Sequence, residues 1–445
     1  MRYRALDISM GTRKCGLLFQ YGEGPTAMTR FVPEPEFWMD ADAPVMGHYG
    51  RQANETDRAL FLADAAQQAF FNGTGERLPA FFQNLLPEGP LRKHLEQLRG
   101  CKPGDHMDIL AMCGEDLPGN VYALPTKGDR DSVAAVVTQG NDALEMSVID
   151  QPLAGATSLS GIQPKLGLVE SKGRYVARTR DIHSHVHIIA KLPTAEYPLL
   201  PEVEELSLRL AHAAGVETCH AVLRPVTDIL PADQPYTVEG DRQFLAVHRF
   251  DRTQGAHIHC EDFAQILDID PDYKYQDPAG RMTYANMLVA LLKGLQVDPA
   301  QGLEFFRRLM VNQLLGNYDA HGKNYGVIYR DGVTPVLSPA YDVVAYAAYL
   351  PGKGHALRFH AKSEPRALVS PVVVRELCNL AGLLEPLVKK ALTETVEKAR
   401  LLWVPMIEQS GLLDVQKQRL LNHIQSDPNV EAQARRSQKR SKPDQ

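Results

Sequence analysis

The sequence predicts an α+β chain of two lobes, with an extra N-terminal α/β subdomain ahead of them and a second lobe that is mainly helical. Three observations lead there. The first part alternates short apolar strands with turns; a strand ending in one lysine, Lys191, is followed by a single prominent helix; and beyond residue 256 apolar residues recur mostly at helical spacing, interrupted by one hairpin. With 445 residues the chain can bury a large core and divides into subdomains. The expected divisions are 1–125 for the N-terminal subdomain, with helical segments around 56–98 and 107–114, 126–255 for the N-lobe, 256–425 for the C-lobe and 426–445 for a tail. That tail is polar and basic, with Arg435, Arg436, Lys439, Arg440 and Lys442 and no apolar period, so it is expected to be disordered.

The C-lobe hairpin carries the most informative residues. Leu303, Phe306, Met310 and Leu314 repeat at helical spacing and stop near Gly316, which sets Asp319 on a loop beyond a buried helix. Asn324 follows five positions later, then a strand at Tyr325 to Tyr329, an Arg330-Asp331-Gly332 turn and a strand at Val333 to Leu337 leading to Asp342. The hairpin thus brings Asn324 and Asp342, 18 apart in sequence, to one place. An Asp, then an Asn, then a second Asp is a phosphoryl-transfer layout: a base for a hydroxyl nucleophile, a neutral oxygen ligand for Mg²⁺ and a carboxylate able to bridge two ions. Mg²⁺ takes hard oxygen ligands and keeps waters, so two protein ligands and ATP phosphates suffice. The alternative is a surface loop whose Asp and Asn cap turns.

Upstream, residues 157–170 place a small-residue loop before a hairpin, with backbone N–H groups able to cover phosphates. It is not a Walker A loop, because five residues separate Gly155 from Gly161 and Ile162 stands where the phosphate lysine would be. An ordinary hairpin entry remains the other reading. Val186 to Pro193 reads as a buried strand, and a buried ammonium at Lys191 either snorkels to water or meets an anion. Glu202 to Ala214 reads as a helix with Val203, Leu206, Leu210 and Ala213 on one face and Gly215 as its stop, placing Glu204 in the first turn within reach of that lysine. The pair repeats the strand-lysine and helix-glutamate pair of protein kinases; a solvated lysine and a carboxylate favoured by the helix dipole stand beside it. Gln243 to Arg252 reads as a strand running into an interlobe loop, where Phe250 is either an adenine-side or a core residue.

Composition narrows the function classes. Mean hydropathy is −0.26 and no apolar run approaches the roughly 18 residues of a membrane helix, nor does a charged-then-apolar leader follow Met1, so a soluble cytoplasmic protein is expected. Cys15, Cys101, Cys113, Cys219, Cys260 and Cys378 are scattered without a C-x-x-C, against a disulfide framework or structural zinc. Net charge −6 gives no global case for direct nucleic-acid binding. His183, His185 and His187 alternate, and His257, His259 and Cys260 cluster, but neither set names a full ligand sphere; surface or interlobe histidines are expected.

In their order, these pieces resemble the HipA-like serine/threonine kinases of bacterial type II toxin–antitoxin modules. That family carries S-x-x-G-x-Q-x-K, H-I-x-K-x-P, a glutamate helix, R-F-D-R, D-x-H-x-K-N and Y-D. Here stand Ser158 to Lys165, His187 to Pro193, Glu204, Arg249-Phe250-Asp251-Arg252, Asp319 to Asn324 and Tyr341-Asp342. Phe81 to Pro90 is similar to the family's F-F-x-N-L-L-P-[DE] segment, so ordered motifs cover roughly residues 75–345. The resemblance implies a HipA-type, protein-kinase-like fold that uses ATP and Mg²⁺. It implies Asp319 as the catalytic aspartate, Asn324 and Asp342 as metal ligands, and Lys191 on the phosphates with Glu204 as its ion-pair partner. It further implies an ATP site of Ser158, Leu159, Ser160, Gly161, Lys165 and His321, an adenine hinge at His248 to Phe250, Asp251 near the ribose and Tyr341 packing on the nucleotide. Ser158 matches the loop serine that autophosphorylates and switches the kinase off, with Ser160 a competing acceptor. The implied partners are a helix-turn-helix antitoxin, with operator DNA reached only through it, and a translation-related target such as an aminoacyl-tRNA synthetase. A small-molecule phosphotransferase and a catalytically silent corepressor module remain the alternatives.

Overall fold

The computed structural model describes residues 2–440 apart from 51–53, 67, 128–144, 147–148, 154–155, 162, 172, 178–185, 230–235, 237, 240 and 254–255. The first sheet is an antiparallel run of β1 (Arg2–Met10), β2 (Arg13–Tyr21), β3 (Met28–Pro33) and β4 (Val121–Pro125) in the order β3-β2-β1-β4, with the short β5 (Glu145–Met146) parallel to the start of β1. Alternation sorts its side chains: Leu6, Ile8 and Met10 join a core with Phe31, Phe71, Phe81 and Phe82, while Tyr3, Ala5, Leu17 and Phe19 cluster on the opposite face. The buried Phe81 and Phe82 fix the short Ala80–Gln83 helix in that core. Residues 84–88, which follow it, carry Leu85 and Leu86 in the same core and meet the loop at 157–161.

The second sheet is wholly antiparallel, in the order β7-β6-β8-β10-β9, from β6 (Lys165–Ser171), β7 (Arg174–Ala177), β8 (Val186–Lys191), β9 (Ala221–Pro225) and β10 (Gln243–His248). On β10, Phe244 and Ala246 face a small core with Ile188 and Ala190, whereas Leu245 and Val247 face the large core of the second lobe. The Leu200–Ala213 helix faces that large core too, through Val203, Leu206 and Leu210. Trp403 donates from its indole to the Leu210 carbonyl at 2.8 Å, and the Ala345 N–H donates to the Ser207 hydroxyl at 2.9 Å. The helix that carries Glu204 is therefore fastened to the second lobe, although it follows a strand of the first.

The second lobe rests on the Pro299–Leu315, Pro371–Ala381, Glu385–Glu408 and Asp414–Gln425 helices. Beside them lie β13 (His259–Asp262), β14 (Gly326–Tyr329) and β15 (Pro335–Leu337) in an antiparallel sheet; a two-stranded ribbon of β11 (Arg252–Thr253) and β12 (Ala256–His257) leads into it. His257 stacks on Tyr122 and His259 on Tyr329; His183 and His185 lie outside the described residues. The tail departs from expectation: Pro428–Arg440 is helical. Val430 is buried in the second-lobe core and Gln313 donates to Asp427 at 2.7 Å, so two inward contacts order a stretch whose composition is polar. Residues 441–445 lie outside the described part. No helix among the described residues is long and apolar enough to cross a membrane.

One buried junction ties these parts together. Asp116, just after the His106–Met112 helix, accepts from Arg249 and from Arg252, each at 2.9 Å, and Asp251 accepts from the same two guanidiniums at 2.8 and 2.7 Å. The Gly119 N–H donates to Asp251 at 3.0 Å and the Thr157 hydroxyl to Asp116 at 2.6 Å. Two cations and two anions balance, and the N-terminal subdomain, the interlobe stretch and the 157–161 loop all meet there. Removing one partner leaves buried charge uncompensated, so Asp116→Ala should lower stability by about 3–5 kcal/mol, read by thermal or urea unfolding; a loss below about 1 kcal/mol would contradict this role.

Candidate active site

Lys191, the last residue of β8, is buried, and its ammonium lies 2.5 Å from Glu204 Oε1. The same nitrogen donates to Asp342 Oδ1. Burial acts to deprotonate Lys191, but Asp342 and Glu204 beside it raise its pKa and hold it charged. Burial would raise Asp342 too, yet Lys191 and Lys165 hold its pKa below the usual carboxylate range. Glu204 goes the other way: burial raises its pKa against the pull of Lys191. Its Oε2 is buried without a hydrogen-bond partner among the described residues. Asp342 also sits at φ +52, a left-handed conformation that costs a non-glycine residue about 1–3 kcal/mol and is typical of functional sites.

The loop bearing Asp319 begins at Gly316, whose φ of +60 ends the Pro299–Leu315 helix. Asn317 donates to Asn312 at 3.0 Å and, at 3.4 Å, to the Asp342 carbonyl, so this loop and the Asp342 turn are fixed to each other. Asn324 Nδ2 donates to the Asp319 carbonyl at 2.8 Å, leaving the amide oxygen as its unengaged end. Lys323 is buried and donates to Asp262 at 2.7 Å and to the Asn84 carbonyl at 3.0 Å, tying the loop to β13 and to the 84–88 segment of the N-terminal subdomain. Tyr341 donates to the Lys323 carbonyl at 2.8 Å. Burial raises the Asp319 pKa, partly offset by a hydrogen bond from Tyr275. His321 is buried and pushed down to about 3, chiefly by burial, so it is neutral.

These residues line two adjoining hollows of about 150 and 470 Å³ with Ser160, Lys165, Lys191 and Asp342 common to both. The smaller is walled by Leu159, Ile189, Val247 and by Phe250 beside Tyr341, with ring centroids 5.5 Å apart; Ser158, His248 and Asp251 also border it. The larger holds Gly161, Glu204, Asp319, His321 and Asn324. At the interlobe stretch the His248 and Arg249 N–H groups are taken by the His220 and His187 carbonyls at 2.8 and 3.0 Å. Of the expected hinge N–H groups, that of Phe250 alone is left. Asp251, expected near the ribose, borders the smaller hollow, and its carboxylate accepts from two arginines and an N–H, the geometry of a structural brace.

The loop between the hollows is held from the N-terminal side. Ser158 is fully buried and donates to the Leu85 carbonyl, the Glu88 N–H donates to the Leu159 carbonyl at 3.2 Å, and the Gly161 N–H donates to Glu88 Oε2 at 3.3 Å. Lys165 donates to the Ser160 carbonyl, and a Cβ on Gly161, at φ +102, would lie 2.5 Å from that ammonium, so only glycine fits. Burial lowers the Lys165 pKa, opposed by Asp342. Sequence reasoning gave Glu88, Tyr275, Asp262 and Asp116 no role. Glu88 lay inside a quoted motif and its charge beside Pro87 was a usable signal; the others act through partners 44 to 136 residues away.

The donor set fits a hard dication. Asn324 Oδ1 and the Asp342 carboxylate are oxygens on one cleft, a set that phosphate oxygens and water complete for Mg²⁺. Two ammonium groups, a carboxyl with a raised pKa and an apolar recess on adjoining hollows are an arrangement able to support phosphoryl transfer.

Comparison with known proteins gives the following. The HipA N-terminal domain matches residues 6–124 and the HipA-like C-terminal domain residues 157–403. A putative kinase of Sinorhizobium fredii, Y4dM, is 34% identical over 330 residues, spanning 73% of this chain and 76% of the relative. The serine/threonine-protein kinase toxin HipA of Shewanella oneidensis is 24% identical over 302 residues, 62% of this chain and 65% of that protein. Among solved structures, a chain of the Shewanella oneidensis MR-1 complex of HipA, HipB and operator DNA superposes with a TM-score of 0.61 at 17% identity, covering 94% of this chain and 96% of that one. The fold is therefore shared with that protein.

Lys191→Met would remove the cation between the buried Glu204 and the half-buried Asp342 carboxylates. Stability should fall by about 3–5 kcal/mol, and millimolar Mg²⁺ should raise the melting temperature of the variant more than that of the parent, because a dication can replace the ammonium. Equal Mg²⁺ responses would contradict the shared site.

Proposed function

The chain belongs to the HipA-like kinase family, and from that premise we propose that it is an ATP- and Mg²⁺-dependent protein serine/threonine kinase. The observation that carries the proposal is the convergence of Lys191, Asp319, Asn324 and Asp342 on one cleft. Lys191 and Lys165 would hold the phosphates; the recess beside Phe250 and Tyr341 would take the adenine. Asn324 and Asp342 would hold Mg²⁺, which, when bound, neutralises charge on the phosphate oxygens. Asp319 would accept the proton of a serine or threonine hydroxyl as its oxygen bonds to the γ-phosphorus, and the bond from that phosphorus to the β–γ bridging oxygen breaks to release ADP. Its raised pKa suits a base that must take a proton near neutral pH.

Autophosphorylation at Ser158 would need the loop to leave its seat, since the hydroxyl is fully buried against the Leu85 carbonyl. A phosphoserine, nearly doubly charged, cannot return among carbonyl oxygens, so the modified loop would stay out and the kinase would be off. Ser160 is more accessible and competes as the acceptor. For partners, the fold shared with a HipA bound to HipB and operator DNA supports a HipB-like helix-turn-helix antitoxin, with DNA reached through it. A translation-related target such as an aminoacyl-tRNA synthetase rests on the family resemblance alone.

The test is intact-mass spectrometry with phosphosite mapping after incubation with Mg²⁺ and ATP. The parent should gain phosphate at Ser158 or Ser160, and Asp319→Asn should gain none while binding ATP within about tenfold of the parent; undiminished transfer by that variant would remove the assignment. Ser158→Ala should preserve or prolong transfer to a protein acceptor. Loss of activity with ATP binding intact would give Ser158 another role.

A further inference from the structure

The acceptor side of the cleft is already occupied. Tyr275 donates from its phenol to Asp319 Oδ1, an oxygen of the carboxylate that the proposed kinase offers to a substrate hydroxyl. Its ring stands edge-on to His321 with centroids 4.9 Å apart at 85°, across the mouth of the catalytic loop. The backbone that carries it is fixed. Arg77 of the N-terminal subdomain holds Asp270 at 2.5 Å and Asp272 at 2.9 Å, Lys274 reaches Glu88 at 2.7 Å, and the Gly322 N–H donates to the Lys274 carbonyl at 3.2 Å. The side chain is not fixed in the same way: Tyr275 is 42% exposed, whereas Tyr284 and Tyr325 of the nearby core are enclosed. A clamped main chain with an exposed ring allows one motion, rotation of the ring away from Asp319.

We propose that Tyr275 is an internal stand-in for the acceptor, its phenol filling the hydroxyl position on Asp319 until an incoming serine or threonine displaces it. The inference rests on the kinase reading. Burial and the adjacent Asp319 carboxylate raise the phenol's pKa, so it remains a proton donor and competes on the same terms as a substrate hydroxyl. A water must displace the phenol before Asp319 Oδ1 can take its proton, which limits futile ATP hydrolysis. A protein acceptor that supplies its own contacts can displace one charge-assisted hydrogen bond; water cannot do so as readily. Tyr275 is thus a positioning and selectivity residue, and it is built on the segment whose clamps, Arg77 and Glu88, belong to the N-terminal subdomain.

The experiment measures ATP hydrolysis without any protein acceptor, water being the probe, for the parent, Tyr275→Phe, Tyr275→Ala and the Asp319→Asn/Tyr275→Phe double variant. ATP binding and melting temperature are recorded for each. Tyr275→Phe should hydrolyse ATP about five- to tenfold faster with unchanged ATP affinity, Tyr275→Ala at least as fast, and the double variant should return to background. A second readout separates this from a loss of packing. Because the phenol contacts Asp319 and not the nucleotide, the gain in Tyr275→Phe should appear in kcat with the KM for ATP unchanged, a split that loosened packing would not give. Parent-level or slower hydrolysis in both single variants, with the parent active, overturns the proposal and leaves the kinase intact. Phosphate mapped to Tyr275 overturns it as well, since the phenol would then be an acceptor in its own right. ATP binding without hydrolysis or transfer in any of the three proteins that retain Asp319 overturns the kinase reading and the proposal together.

Discussion

One buried ammonium holds this structure's functional half in place. Lys191 leaves the first sheet, meets Glu204 on a helix packed into the second lobe, and meets Asp342 on the loop after β14 and β15. Separating two carboxylates by one cation satisfies each charge only while all three elements keep their positions. The Glu204 helix cannot drift, because Trp403 and Ser207 fasten it to the second-lobe helices and to the chain beyond Asp342. The ion pair is therefore part of the packing between the lobes.

The loop at 157–161 is held from two sides. Its hydrogen bonds run to Leu85, Glu88 and Asp116, all of the N-terminal subdomain, while Lys165 braces it from the sheet. The N-terminal subdomain therefore serves as the seat of the 157–161 loop, and through the arginine pair at 249 and 252 it also fixes the interlobe stretch. Glu88 joins both tasks, because the same carboxylate holds the loop's Gly161 and the Lys274 beside Tyr275. Moving the loop changes the anchorage of the acceptor side, with no need for a domain rotation.

Much of this was legible in the sequence where the signal is local. Lys191 and Glu204 are 13 residues apart, and the periods of the strand and helix that carry them are readable, although the helix starts at Leu200, ahead of Glu202, and Glu204 lies beyond its first turn. The hairpin joining Asn324 to Asp342 was equally plain, since a turn at Asp331-Gly332 fixes its geometry. The Lys191 contact to Asp342 spans 151 residues and the Asp116 contact to Arg252 spans 136, and no spacing rule reaches that far. Asp251 shows the same limit: its motif position gave no sign that it shares two arginines with Asp116. The tail failed for a different reason. Its composition is that of a solvated terminus, and a few inward residues, Val430 among them, suffice to fold a helix against an existing lobe.

The central claim is that Asn324, Asp342, Lys191 and Asp319 form one phosphoryl-transfer centre. A crystal structure of the protein with a non-hydrolysable ATP analogue and Mn²⁺, located by its anomalous signal, tests it most directly. The account predicts the metal on Asn324 Oδ1 and the Asp342 carboxylate, Lys191 on the phosphates with its Asp342 contact released, and the γ-phosphate facing Asp319. A nucleotide bound away from this cleft, or a metal held without Asn324 and Asp342, would contradict it.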